Sequence, residues 1–163
     1  MAASDAAILA HLAAHPIDGL RLSGIVQSVH IAVFVEPFLG YVLDGSKTLD
    51  SRFLRQPRAP YRRVAPGDLI LLKRSGGPVV GLCYAAQAWD YALDPERFES
   101  IRSTHAEALC APDAAFWESR RAAQYVTLIR LLGVRALVEP MALPKRDRRG
   151  WVVLRTGPEQ MHL

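Results

Sequence analysis

Apolar and polar positions alternate along the chain in a way that predicts short strands separated by short helices. Residues 29–35 form a β-branched apolar run, which is typical of a buried strand. Residues 69–73 and 79–86 are apolar segments on either side of a turn that contains Gly76, and this arrangement predicts a β-hairpin. The same criteria predict two more strands, at residues 124–138, with a bulge at Gly133, and at residues 151–155.

Helical periodicity and capping residues predict four helices. Residues 4–15 carry apolar side chains at helical spacing after a possible N-cap at Ser4. Pro37 opens a short second helix, and Gly45 fits the left-handed residue that ends it. Two more helices are predicted at residues 94–109 and from residue 112 to residue 121. Several strands interrupted by short helices favour an α+β fold built on a small barrel and disfavour a doubly wound sheet.

The most distinctive polar segment is residues 45–52, Gly-Ser-Lys-Thr-Leu-Asp-Ser-Arg. The chain is predicted to become extended at Thr48, so Thr48, Asp50 and Arg52 share one face of a strand. Lys47 lies at the junction of helix and strand, where neither period governs its direction. The spacing can direct a cation, an anion and a planar guanidinium into one pocket.

The pattern Gly45-x-Lys47-x-x-Asp50-x-Arg52 resembles the signature Gly-x-Lys-x-x-Glu-x-Arg of the ASCH domain family, which belongs to the PUA-like β-barrel superfamily. The resemblance extends to Pro66-Gly67-Asp68, a turn that precedes an apolar strand ending at Lys73, and it covers residues 29–155. It implies an α+β fold with a small PUA-like barrel and flanking helices. The domain would span residues 25–163, preceded by an N-terminal helical extension of residues 1–24.

The resemblance also implies a cleft lined by the signature. PUA-like domains commonly bind RNA, and ASCH proteins are suspected of acting on RNA or nucleotides. One bacterial ASCH group is an amidohydrolase that removes an acyl group from acetylated cytidine with a lysine, a threonine and a glutamate. Lys47 matches that lysine, whereas Asp50 stands where this group has the threonine, two residues after Thr48. Glu107 and Asp113 are loose matches for the glutamate.

The chemistry of these residue types permits two interpretations. A lysine desolvated in a cleft loses basicity and becomes a usable general base or nucleophile, with Asp50 or Glu107 assisting. Arg52 would present a planar fork to a phosphate, a carboxylate or a base edge. Alternatively, Asp50 and Arg52 pair with each other and fix the strand to the barrel.

Charge is distributed unevenly. Residues 52–74 carry seven basic side chains and one acidic one, and residues 145–155 carry five and one. Residues 90–119, by contrast, carry seven acidic side chains and two basic ones. Two basic blocks favour a phosphate-bearing partner, with a solvated basic surface as the alternative. The predicted phosphate contacts are Arg62, Arg63, Arg148 and Arg149.

Two further segments have a functional and a structural interpretation. Lys73 and Arg74 precede a Gly-Gly turn, where cations and backbone N–H groups can hold a phosphate, although any tight hairpin uses the same glycines. Trp151 follows a cationic run and could stack on a base, but the apolar residues after it favour a core position.

The remaining composition narrows the function classes. His105-Ala106-Glu107 is followed by Cys110 alone, so a zinc ligand set is incomplete, and we expect no metal and no cofactor. Two cysteines form no disulfide framework, and no apolar run approaches the about 18–20 residues of a membrane span. We therefore expect a cytoplasmic protein without a membrane segment.

Three functions fit the sequence. The favoured one is an ASCH-type domain that binds RNA or a nucleotide-like anionic ligand in a basic cleft. The first alternative is a small hydrolase, of amidohydrolase or ribonuclease type, that acts on a modified nucleoside or on RNA. The second alternative is a protein-interaction module.

Overall fold

The strands and helices of the protein follow the predicted hydrophobic pattern. The computed structural model describes residues 3–14, 28–144 and 147–155. In this part of the chain the elements are α1 (Ala3–Ala14), β1 (Val29–Phe34), α2 (Phe38–Leu43), β2 (Leu49–Leu54), β3 (Leu69–Arg74), β4 (Val79–Ala92), α3 (Pro95–His105), α4 (Ala114–Glu118), β5 (Tyr125–Met141) and β6 (Trp151–Arg155).

The six strands form one mixed sheet in the order β2-β5-β4-β3-β1-β6. β1 and β3 are parallel, and all other neighbouring strands are antiparallel. The sheet curves into a half-barrel with helices beside it, which confirms the α+β class. Among the described strands, no ladder joins the edge strands β2 and β6, so the structure does not show the closed barrel that the sequence predicts.

Both faces of the central strands are buried, which explains their continuous apolar sequence. Alternate side chains of β1 and β3 enter opposite clusters, because successive side chains of a strand point to opposite faces. Val29 and Leu69 belong to one cluster, which also includes Ile8 of α1. Ala32 and Ile70 belong to the other.

Helix α1 lies against this sheet. Ile8 is fully buried in the cluster that also contains Val152 and Leu154 of β6. The sequence predicts that residues 1–24 form an extension to the domain. Residues 1–2 and 15–24 of that range lie outside the described residues, and the division into extension and domain stays a prediction.

The turn from α2 into β2 positions the signature. Gly45 has a φ of +85°, a conformation that glycine adopts at no steric cost, as the sequence predicts. The backbone N–H groups of Thr48 and Leu49 then donate to the carbonyl of Ala108. These bonds attach the start of β2 to the segment after α3.

Strands β4 and β5, which pair antiparallel, are both longer than the sequence predicts. β4 continues to Ala92, and β5 ends only at Met141. Their register shifts where Leu82 pairs with Arg135 and Tyr84 pairs with Leu132, so one extra residue of β5 is accommodated there. Gly133, with a φ of +64°, lies within this shift, which confirms the predicted bulge.

Candidate functional site

A groove of about 900 Å³ runs along β2, between α4 on one side and the end of β1 with the 148–151 segment on the other. Of the residues that the structure describes, seven basic side chains and one acidic side chain line it. These charged residues are Lys47, Asp50, Arg52, Arg58, Arg63, Arg120, Arg148 and Arg149. Both basic blocks of the sequence therefore contribute to the same groove. Two members of the second basic block, Lys145 and Arg146, lie outside the described residues.

Three residues of the signature, Lys47, Asp50 and Arg52, form the floor of this groove. Lys47 is 3% exposed, and its Nζ donates to the carbonyl oxygen of Leu109 at 2.9 Å. The Nζ also lies 4.0 Å from Oδ1 of Asp50. Burial lowers the pKa of the Lys47 ammonium, and the nearby Asp50 carboxylate opposes this shift. The floor thus holds a desolvated lysine beside a single carboxylate.

Arg52 uses its guanidinium to connect distant parts of the sheet. Its Nε donates to Oδ2 of Asp50 at 2.8 Å. Its Nη1 donates to the carbonyl of Val33 at 2.9 Å and to that of Gly150 at 3.3 Å. Since Val33 lies in β1 and Gly150 directly precedes β6, Arg52 joins the edge strand β2 to the other end of the sheet. The Asp50–Arg52 pair that the sequence offered as a structural alternative is therefore present.

Aromatic rings surround these charges. The guanidinium of Arg52 lies 4.7 Å from the ring centre of Phe34 and 5.2 Å from that of Trp151. The Nζ of Lys47 lies 5.4 Å from the ring centre of Phe38. Phe38 in turn contacts Phe116, with ring centres 5.6 Å apart. Phe38 and Phe116 are both half-buried, so part of each ring faces the groove.

Trp151 has a core position, as the residues after it predict. It is 5% exposed, and its Nε1 donates to Nδ1 of His30 at 3.0 Å. Since His30 Nδ1 accepts this proton, Nε2 carries the hydrogen that is donated to Asp68 at 2.8 Å. This buried chain fixes the Trp151 ring as a wall of the groove.

Three exposed arginines, Arg58, Arg63 and Arg148, form the rim of the groove. Within the described part of the chain, none of the three has an acidic side chain within salt-bridge distance. Arg149 differs, because its Nη2 lies 2.8 Å from Oδ2 of Asp147. The three rim arginines therefore carry positive charge that no acidic side chain of the described residues neutralises.

Sequence reasoning missed Arg120. This residue follows α4, and its guanidinium lies 3.6 Å from the ring centre of Phe116. Burial lowers the pKa of Arg120, and the neighbouring Arg52 adds to the shift. The spacing of Phe116 and Arg120 in the sequence could have indicated their contact, because residues four apart in a helix lie on the same face.

Four other predicted residues lie away from the groove. Arg74 forms an ion pair with Glu36 at 2.9 Å, and Arg62 is exposed with a φ of +58°. Glu107 is exposed in the turn after α3, and neither it nor Arg62 lines the groove. Lys73 lines a neighbouring cavity.

The residues near Glu107 offer no metal centre. No group of three or more His, Cys, Asp or Glu side chains in the described ranges is close enough to hold a metal ion. The exposed Thr48 and Asp113 do not line the groove either. No helix of residues 3–14, 28–144 or 147–155 is long and apolar enough to cross a membrane.

Comparison with known proteins identifies the fold. No protein-family model and no curated protein matches the sequence. The crystal structure of ASCH from Zymomonas mobilis superposes with a TM-score of 0.61 at 14% identity, over 83% of this chain and 92% of that chain. A serine-to-alanine variant of that protein gives a TM-score of 0.61 at 14% identity, over 83% and 94%. A tyrosine-to-phenylalanine variant gives 0.60 at 14% identity, over 82% and 95%. The predicted resemblance is thus confirmed at the level of the fold, which the chain shares with the ASCH protein from Zymomonas mobilis.

Proposed function

We propose that the chain binds RNA, or a nucleotide-like anion, in the groove along β2. The observation that carries this proposal is the convergence of two basic blocks on one groove. Arg58 and Arg148 are 90 positions apart in the sequence, yet they line the same groove. A concave surface lined by one sign of charge raises the local concentration of an oppositely charged ligand.

The rim supplies the phosphate contacts of this proposal. Arg58, Arg63 and Arg148 are exposed and are not committed to ion pairs among the described residues. Binding a phosphate therefore breaks no existing ion pair of these side chains. The planar guanidinium also matches a phosphate by donating two parallel hydrogen bonds.

The walls supply a surface for a base. Phe38 and Phe116 are half-buried in the groove, and Arg120 stacks on Phe116. Single-strand binders combine such aromatic faces with cations that follow the backbone. In this proposal the floor shapes the groove, since Arg52 and Asp50 already satisfy each other.

A salt series with a labelled single-stranded RNA tests the proposal. Arg148→Ala is expected to weaken binding about fivefold at low salt, since it removes one phosphate contact. It should also reduce the slope of log affinity against log salt by about 0.7. Arg55→Ala is the control, because Arg55 is an exposed arginine of the other basic block that does not line the groove. Absence of binding at low salt, or equal effects of the two variants, would contradict the proposal.

A hydrolase is the second candidate, and the state of Lys47 favours it. Burial in the groove lowers the pKa of this lysine, which makes it a better general base or nucleophile near neutral pH. An assisting acid would have to be Asp50, because Glu107 does not line the groove. Screening acylated nucleosides and short RNAs with wild type and Lys47→Met tests this function. Turnover that survives in Lys47→Met, or no turnover of any of them, argues against it.

A further inference from the structure

A second cavity, of about 850 Å³, adjoins the groove. It lies between the β3–β4 turn at Ser75–Pro78 and the segment that contains Asp147. Val33, Arg148 and Arg149 line both cavities and thus form a shared wall. A ligand longer than the groove therefore has a second cavity directly beyond the rim.

The second cavity carries the same sign of charge as the groove. Within the described ranges, Lys73, Arg148 and Arg149 line it together with one carboxylate, that of Asp147. Asp147 accepts bonds from the backbone N–H of Arg149 at 3.0 Å and from its guanidinium at 2.8 Å. Lys73 is 9% exposed, and its Nζ donates to the carbonyl of Arg74 at 3.2 Å. A largely buried ammonium is weakly screened by salt, so its attraction for an anion persists.

From this arrangement we infer that the second cavity is an anion subsite that takes the next phosphates of a single-stranded oligonucleotide whose first unit occupies the groove. This inference rests on the proposed function of the groove. A mononucleotide fills one cavity only, whereas a strand of several nucleotides contacts both through the shared arginines. The substrate class is therefore an oligonucleotide strand, and affinity increases with its length beyond what the groove alone provides.

Ser75 allows the two cavities to be separated experimentally. It is exposed, it lines the second cavity, and it does not line the groove. Its backbone N–H donates to the carbonyl of Phe34, a bond that any substituted side chain preserves. Ser75→Glu places a negative charge in the second cavity, and Ser75→Gln is the neutral control of the same size.

Uridine monophosphate and an eight-nucleotide oligouridylate are the probes, titrated at low salt with thermal melting as a check of folding. We expect wild type to bind the octamer at least tenfold more tightly than the monophosphate. Ser75→Glu should weaken octamer binding about fivefold and leave monophosphate binding unchanged, since one added charge repels the strand at close range. Ser75→Gln should bind both probes as wild type does.

The outcomes separate the two proposals. Octamer binding that is unchanged in Ser75→Glu, or equally weakened in Ser75→Gln, overturns the second subsite and leaves the groove proposal standing. Equal affinity of wild type for the two probes has the same consequence. If wild type binds neither probe, the groove proposal fails and the second subsite fails with it.

Discussion

The floor and the rim of the groove contain the same kinds of cation but use them differently. In the floor, Lys47 and Arg52 are largely buried and donate to backbone carbonyls and to Asp50. In the rim, the three arginines are exposed and have no acidic partner among the described residues. The floor cations therefore contribute to folding, whereas the rim cations remain available to a ligand. A basic residue in a signature is thus not by itself evidence of a ligand contact.

The energetics of the two regions should differ accordingly. Removing one member of a buried ion pair leaves the other charge desolvated and uncompensated, which costs several kcal/mol. Changing an exposed charge costs little, because water and salt screen it. Stability measurements should therefore detect the floor, and binding measurements should detect the rim.

Asp50→Asn is expected to produce the largest effect. Among the described residues it removes the one carboxylate that lines the groove, and it leaves Lys47 and Arg52 as desolvated cations without an anion from this part of the chain. We expect a loss of roughly 3–5 kcal/mol in the free energy of unfolding, measured by urea denaturation. The control is Glu99→Gln, because Glu99 pairs with Arg121 at 3.1 Å but is about half exposed. It should cost less than about 1 kcal/mol. Similar losses in both variants would contradict the distinction between floor and rim.

Arg52→Ala should have the next largest effect. It removes bonds to Asp50, Val33 and Gly150, and we expect a loss of about 2–3 kcal/mol, the scale of hydrogen bonds to charged groups. Because Gly150 loses one of its two donors, trypsin should also cleave the adjacent Arg149–Gly150 bond faster. Arg52→Lys keeps the charge but not the several N–H donors of the planar guanidinium, so it should recover only part of the lost free energy of unfolding. Full recovery in Arg52→Lys would show that charge alone matters.

The pH dependence of stability isolates Lys47. Burial lowers its pKa in the folded state, so between that lowered pKa and the ordinary value of 10.5 the unfolded chain binds more protons. The contribution of Lys47 to stability therefore rises with pH in this window, by at most about 1.4 kcal/mol per pH unit. The difference in unfolding free energy between wild type and Lys47→Met should increase as the pH approaches 10.5. A constant difference would contradict a lowered pKa.

Cys83 acts in the opposite direction and is the control for this measurement. Burial in the core raises the pKa of its thiol from 9.0 to about 12. Above pH 9 the unfolded chain loses this proton while the folded chain keeps it, so stability falls between pH 9 and about 12. Cys83→Ala should remove this fall in stability. In the Cys83→Ala background, the effect of Lys47→Met on the free energy of unfolding should show the same pH dependence as in wild type.

Local rules predicted much of the fold. Gly45, the bulge at Gly133 and the apolar run of β1 depend on neighbouring residues alone, and the structure confirms them. The extension of β4 to Ala92 was missed, because its second half contains Gln87 and Asp90 and is supported by pairing with β5. Tertiary pairing here overrides the weak strand propensity of these residues.

The candidate site was predicted less completely, because its contacts are long-range. The signature indicated Lys47, Asp50 and Arg52, yet the carbonyls that Arg52 binds are 19 and 98 residues away in sequence. The periodicity of a helix or strand gives no information about partners so far apart in the sequence. The same limit applies to Arg58 and Arg148, whose shared groove depends on how the half-barrel curves. The sequence predicted that both basic blocks contribute phosphate contacts, but it could not predict that Arg58 and Arg63 line the groove while Arg62 does not.

The rim should show the smallest effect on stability. Arg58→Ala, Arg63→Ala and Arg148→Ala remove no ion pair among the described residues, so each should change the free energy of unfolding by less than about 0.5 kcal/mol. The same variants should weaken RNA binding, and the triple variant should reduce the salt slope by about 2 if each arginine contacts one phosphate. Arg52→Lys measured in parallel gives the opposite profile, a lower stability with a nearly unchanged salt slope. If a rim variant destabilises the fold as much as Arg52→Ala does, its guanidinium has a structural partner and the division between floor and rim is wrong.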